Sequence, residues 1–245
     1  EGVIFYIATG RMLSLAKLIQ KKINNDVEII ASNGSVYQKG HHIHQEHLGW
    51  NALKAIYQIT MDLGLSTNFF TTEMTYYTNK KPWRLSRLAR VRVVADKMGN
   101  RGFEKIQDLD HLRQLSSQII NGITIDDEPS ARLQEAKERL MATKLLAVSS
   151  SSPNNLELIP RRISKATAVR AIMDKYQIPV ERTLAFGNDM NDLEMIRAVG
   201  TGVAMGNSPE LLKKEADAVT ESNLENGIGK FLERYFNLGA GAHFD

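Results

Sequence analysis

Three short groups of residues in this sequence have types and spacing suited to phosphate chemistry. The densest is Gly187-Asn188-Asp189-Met190-Asn191-Asp192, where two amides and two carboxylates follow a glycine. Hard divalent cations such as magnesium take oxygen ligands, and a loop of this composition supplies them. The same residues also suit an Asx-rich turn that caps the following helix. Thr9-Gly10-Arg11 combines a hydroxyl, a glycine that admits close backbone approach, and the start of a helix. Backbone N–H groups at such a point bind anions, although a capping threonine in an ordinary turn has the same appearance. Lys165, in Ile163-Ser164-Lys165-Ala166-Thr167, is a cation just ahead of a helix. Fixed there it can neutralise a phosphoryl group and a carboxylate, and otherwise it is one exposed lysine among many.

The elements around these groups follow one grammar. Val3 to Ala8 is a continuous apolar run that suits a strand of a parallel sheet, and Thr9-Gly10-Arg11 breaks it. A helix carrying Leu15, Leu18, Ile19 and Ile23 follows, then a strand over Val27 to Ala31 that ends at Ser32-Asn33-Gly34. Near the other end, Val169, Ile172, Met173 and Tyr176 mark a helix over 167–177. Thr183 to Phe186 reads as a strand running into Gly187, and a helix begins near Asn191 and stops at Gly200. Gly202 to Met205 reads as a strand, and Ser208-Pro209-Glu210 reads as a helix start with a serine cap and proline at the first position. Alternating strands and helices predict a parallel sheet, whose strand C-termini share one edge where ligands bind.

Between about Leu48 and Asn154 the pattern changes to helices mixed with short strands rich in threonine and tyrosine. Leu53, Ile56, Tyr57 and Leu63 mark one helix, ending at Gly64, and Leu133, Ala136 and Leu140 mark another. This predicts an α/β core over 1–47 and 155–245, interrupted by an α+β domain over 48–154. The chain has 245 residues, 42% hydrophobic and 24% charged, so it can bury a sizeable core. A formal charge of +3 implies no particular polyanionic partner. The absence of cysteine excludes disulfides, thiolate metal sites and a cysteine nucleophile. No apolar run reaches the roughly 18 residues of a membrane span, and the expected location is cytoplasmic.

Taken in order, Ile7-Ala8-Thr9-Gly10-Arg11, Ser32-Asn33-Gly34, Ser164-Lys165-Ala166-Thr167-Ala168 and Gly187-Asn188-Asp189-Met190-Asn191-Asp192 resemble the motif set of Cof-type haloacid dehalogenase-like hydrolases. Gly202 to Ser208 and Asn226-Gly227-Ile228 resemble that family's ending, and the insert lies where the family carries its large α/β cap. The resemblance implies a haloacid dehalogenase-like Rossmannoid core with an inserted cap. It further implies a magnesium-dependent phosphoric monoester hydrolase that works through an aspartyl-phosphate. Thr9 resembles the hydroxyl residue that holds the phosphoryl group, and Lys165 the lysine that pairs with phosphate and nucleophile. Gly10, Arg11, Asn33, Gly34 and Asn191 are the further phosphate or substrate contacts implied. The metal ligands implied are Asn188, Asp189 and Asp192, with Asn188 standing where the family has a magnesium-binding aspartate. An amide oxygen coordinates without charge, so weaker metal affinity is expected.

The family opens with an Asp-x-Asp-Gly-Thr strand, whereas Glu1 stands near the start of the family's second strand. The nucleophile is therefore expected upstream of residue 1. A catalytically inactive phosphate-ligand binder or regulatory protein is the alternative expectation. The expected partner is a small phosphorylated metabolite, with no nucleic acid, no membrane, and a monomer or weak homodimer. His41, His42, His44 and His47 beside Glu46 have transition-metal chemistry, but the stretch reads as a solvated hairpin lacking a supporting shell. Lys80 to Arg92, with Lys97, is the most basic stretch and reads as a solvated helix or a substrate entrance before a nucleic-acid contact. Asp126-Asp127-Glu128, ahead of Pro129 and Ser130, reads as acid at a helix N-terminus.

Overall fold

The structure, a computed structural model, describes residues 2–24, 26–40, 42–79, 102–150 and 152–238. The basic stretch from Lys80 to Lys97 and His41 lie outside those residues. The chain divides into two compact units, Glu1–Ile163 and Ser164–Asp245.

The first unit opens with strand β1 (Tyr6–Ala8), helix α1 (Leu13–Ile23) and strand β2 (Glu28–Ala31). β1 and β2 are parallel, as the strand–helix–strand pattern predicts. The apolar run expected to be a strand from Val3 is paired only from Tyr6 onward in the regular register, and Val3, Ile4 and Phe5 are exposed. Strands β3 (Val36–Lys39) and β4 (His42–Gln45) form the expected hairpin and extend this sheet in the order β1-β2-β3-β4. In that hairpin the His44 Nε2 lies 2.8 Å from Glu46 Oε1, and its ring packs against Tyr37.

The same unit holds a six-stranded sheet of β5 (Ser66–Phe70), β6 (Met74–Tyr77), β7 (Gly102–Lys105), β8 (Asn121–Ile125), β9 (Leu146–Ser149) and β10 (Asn155–Pro160). The strand order is β7-β6-β5-β8-β10-β9. The sheet thus continues through Pro160, beyond the residue at which the sequence pattern returns to the core. Helices α2 (Trp50–Asp62), α3 (Leu109–Gln114) and α4 (Ala131–Thr143) cover one face. Leu53 and Ile56 of α2, Leu112 of α3 and Leu133, Ala136 and Leu140 of α4 are buried with Phe69, Leu156 and Leu158 of the sheet. These are the apolar positions that the helical spacing picks out. α4 is capped by Ser130, whose side chain accepts from the Leu133 N–H at 3.2 Å. Asp126 is buried at the end of β8. It accepts from Arg132 Nε at 2.7 Å and Nη2 at 2.6 Å, so it anchors α4 through a two-pronged ion pair.

The second unit runs α5 (Lys165–Tyr176), β11 (Leu184–Gly187), α6 (Leu193–Ile196), β12 (Thr201–Ala204), α7 (Glu210–Glu215), β13 (Ala218–Val219) and α8 (Gly227–Tyr235). Its three strands are parallel, in the order β11-β12-β13. The helix expected from Asn191 is split into a 3₁₀ turn, Met190–Asp192, and the short α6. Its side chains there are committed to the loop and not to an α-helical first turn. Ser208 does not cap α7, whose cap position is Pro209. Its hydroxyl donates instead to the Gly187 carbonyl at 3.2 Å and pins the end of β11.

Candidate active site

Thr9, Gly10, Arg11, Asn33 and Gly34 belong to the first unit. β1 and β2 end side by side, and the backbone beyond them is stitched together. The Thr9 N–H donates to Ile30 O at 2.8 Å, Asn33 N–H to Thr9 O at 3.2 Å, and Ser32 N–H to Arg11 O at 2.8 Å. Thr9 is half-buried, and its Oγ1 accepts from the Arg11 N–H at 3.2 Å, so this hydroxyl faces the turn that it opens. Asn33 is buried in the left-handed region at φ 55°, which asparagine adopts more readily than most residues. A Cβ at Gly10 would come within 3.1 Å of the Asn33 amide oxygen, a tight contact that glycine avoids. The other end of the Asn33 amide donates from Nδ2 to Glu157 Oε2 of β10, at 3.1 Å. Sequence reading missed Glu157. Its only signal was a carboxylate within the alternating Asn155-Leu156-Glu157-Leu158 pattern.

Lys165, Asn188, Asp189, Asn191 and Asp192 belong to the second unit. Lys165 is the first residue of α5 and is 5% exposed, unlike the solvated lysine that a lone sequence position suggests. Its ammonium donates to Asp192 Oδ1 at 2.5 Å. Asp192, also buried, accepts at Oδ2 from the N–H groups of Asn188 at 2.9 Å and Asp189 at 3.2 Å. The loop after β11 is therefore folded around one carboxylate. Gly187 is required for it: a Cβ there would sit 2.5 Å from Asp192 Cβ. Asp189 caps the 3₁₀ turn by accepting from Met190 N–H at 2.7 Å, so the Asx-turn reading holds together with the buried ion pair. Asn188, Asp189 and Asn191 are exposed.

A magnesium ion asks for several hard oxygens, with charge among them. Both Asp192 oxygens have protein partners, Asn188 is neutral, and Asp189 alone adds an exposed carboxylate. Among the described residues no group of three or more His, Cys, Asp or Glu is arranged to hold a metal. These residues do not fit a self-contained magnesium site. What the two groups do offer is anion chemistry: a buried ammonium held in place, and backbone turns at strand C-termini beside a hydroxyl and an amide.

The family model described as haloacid dehalogenase-like hydrolase matches residues 1–232. The 5-amino-6-(5-phospho-D-ribitylamino)uracil phosphatase YcsE of Bacillus subtilis is 28% identical over 244 residues, spanning 96% of this chain and 83% of that one. A haloacid dehalogenase-like hydrolase from B. subtilis is similar in structure, with a TM-score of 0.76 at 25% identity, over 95% of this chain and 87% of that one. A haloacid dehalogenase-like hydrolase from Bacteroides thetaiotaomicron has the same fold, at TM-score 0.78 and 24% identity, over 96% of this chain and 87% of that one. The α/β fold expected from the motif order is thus the one found. With a family match across residues 1–232, nearly the whole length, the chain belongs to the haloacid dehalogenase-like hydrolases.

Proposed function

We propose that this protein is a phosphoric monoester hydrolase acting on a small phosphorylated metabolite. The observation that carries the reading is the buried Lys165–Asp192 pair at the C-terminal edge of a parallel sheet. An ammonium fixed in a desolvated position stabilises the charge that develops on a transferring phosphoryl group, without reorganising during the reaction. Thr9 and the turn at Gly10, Arg11, Asn33 and Gly34 would hold the phosphoryl oxygens. Asn191 would contact phosphate or substrate. A carboxylate outside the residues named here would attack phosphorus to give an aspartyl-phosphate while the ester oxygen takes up a proton and leaves with the metabolite; water would then release inorganic phosphate and regenerate the carboxylate. Residues 48–154 would act as the cap that selects the substrate.

The relative named as a ribitylaminouracil phosphatase supports a small, polar phosphate ester over a macromolecular one. Among the described residues no helix is long and apolar enough to cross a membrane. Magnesium, if required, would have to find ligands beyond this loop, with Asn188 and Asp189 contributing at most part of its shell. The neutral Asn188 also favours a second reading, a phosphate-ligand binder without turnover. Release of inorganic phosphate from a panel of small monoesters separates the two. Turnover that is lost in Lys165→Met supports the hydrolase. Saturable ester binding without release supports the binder.

A further inference from the structure

The turn after β1 and β2 suits an anion, and a carboxylate from a distant strand already stands at it. Leu156 and Leu158 of β10 are buried with the helices of the six-stranded sheet, so alternation sends Glu157 to the opposite face. Its place is fixed from both sides, because β10 pairs with β8 at Ile123 and with β9 at Ser149. Glu157 Oε2 accepts from Asn33 Nδ2 at 3.1 Å and from the Ser149 hydroxyl at 3.5 Å. Both of these partners are neutral, and among the described residues no ion pair offsets the charge of Glu157.

A phosphate and a carboxylate make the same demand on this turn. Each offers acceptors and needs N–H or O–H donors, and the Asn33 side chain carries its donors at Nδ2 alone. With Nδ2 bonded to Glu157, the end of the amide nearer to Gly10 is its oxygen, 3.1 Å from where a Cβ would stand. A phosphate drawn to Thr9 and Gly10 would face that oxygen and an uncompensated carboxylate. Two anions sharing one amide would lie about 4–5 Å apart, where like charges repel strongly once partly removed from water.

We propose that Glu157 is an internal competitor for the phosphate turn, opposing the anion that enters and taking no part in recognising it. It holds the Asn33 amide until a phosphoryl group arrives, and gives it up by a side-chain rotation while its strand stays paired. By returning, it lowers the affinity of the turn for the inorganic phosphate that hydrolysis leaves behind, and so speeds product release. The proposal rests on the phosphatase reading for the anion that enters the turn. It rests on the Asn33–Glu157 contact for what that anion must displace.

The test is calorimetric binding of inorganic phosphate by the intact protein and by its Glu157→Gln variant, which keeps the size of the side chain and an acceptor for Asn33 but removes the charge. The variant should bind phosphate at least about fivefold more tightly than the wild type, the scale of relieving one nearby like charge. The gap should narrow between about 0.05 M and about 0.5 M salt, because screening weakens the repulsion. Inhibition of ester hydrolysis by phosphate should strengthen in the same proportion. Equal affinities, or weaker binding by the variant, would overturn the proposal, since Glu157 would then be indifferent to phosphate or would support it. A gap that salt leaves unchanged would also overturn it, by tracing the gain to packing and not to charge. If Glu157→Gln fails to fold, Glu157→Asp draws the carboxylate back by one methylene and should show a smaller gain of the same sign. Tighter phosphate binding by the variant, with no monoester hydrolysed by either protein, would keep the competitor and retire the phosphatase reading. Phosphate binding by neither protein would end both.

Discussion

Lys165 and Asp192 stand or fall together. Each is buried, and each is the other's main compensation for lost hydration. Replacing Lys165 by methionine leaves Asp192 as a buried anion facing only two backbone amides. Breaking a buried pair in this way costs about 3–5 kcal/mol. Urea denaturation should read that loss, and Lys165→Met combined with Asp192→Asn should recover part of it by removing the stranded charge. At the same scale, Asn188→Asp adds a second exposed carboxylate beside Asp189. Magnesium binding by calorimetry should tighten on the order of tenfold, within the range seen for changes to metal ligation shells. Unchanged affinity would mean that residue 188 does not face the ion.

At the scale of elements, the ends of strands carry the chemistry and helix starts hold it in place. β11 must end in a residue without a side chain, because Asp192 Cβ and Ile196 Cδ1 lie 2.5 and 2.9 Å from where a Cβ at Gly187 would stand. Gly187→Ala should therefore cost about 1–3 kcal/mol of stability as an overpacked site, and lose activity as Asp192 is displaced. Asp126 plays the corresponding structural part between β8 and α4. The hydrogen bonds from the Arg132 guanidinium hold its carboxyl well below its ordinary 3.8, at about 2. A carboxylate so depressed stabilises the fold fully above pH 4, and that contribution is lost as the pH falls toward 2. Asp126→Asn should lower stability at pH 7 by about 1–3 kcal/mol, given that Arg132 is half exposed, and should flatten the acid limb of stability between pH 4 and 2. Thermal melts over that range check both statements. Helical spacing made α2 and α4 legible because each turns a single apolar stripe toward one sheet. The 3₁₀ turn at Met190–Asp192 was not legible, because its side chains answer to a lysine 27 residues away and not to local propensity.

At the scale of the whole molecule, order along the chain was legible and pairing across it was not. The four motifs in sequence were enough to point to the fold, because three mark a strand ending in a turn and one, at Ser164-Lys165, marks a helix start. The partners of those motifs depend on register. Glu157 meets Asn33 across 124 residues, and nothing in the alternation of Leu156 and Leu158 identifies what the carboxylate between them touches. Likewise, Asn68 and Asn121 are unremarkable polar residues in a strand until the pairing of β5 with β8 puts them on one face. The same limit explains why Lys165 read as one lysine among many: the carboxylate it pairs with, Asp192, lies 27 residues away in sequence.

The most direct measurement is inorganic phosphate released from small phosphate monoesters by the intact protein and by its Lys165→Met variant, each shown to be folded by circular dichroism. The proposed hydrolase predicts saturable turnover by the wild type and a loss of at least about 100-fold in the variant, the scale of removing one fixed stabilising group from a transition state. Phosphate release by a folded Lys165→Met protein at the wild-type rate, or none by the wild type on any ester that it binds, would contradict it.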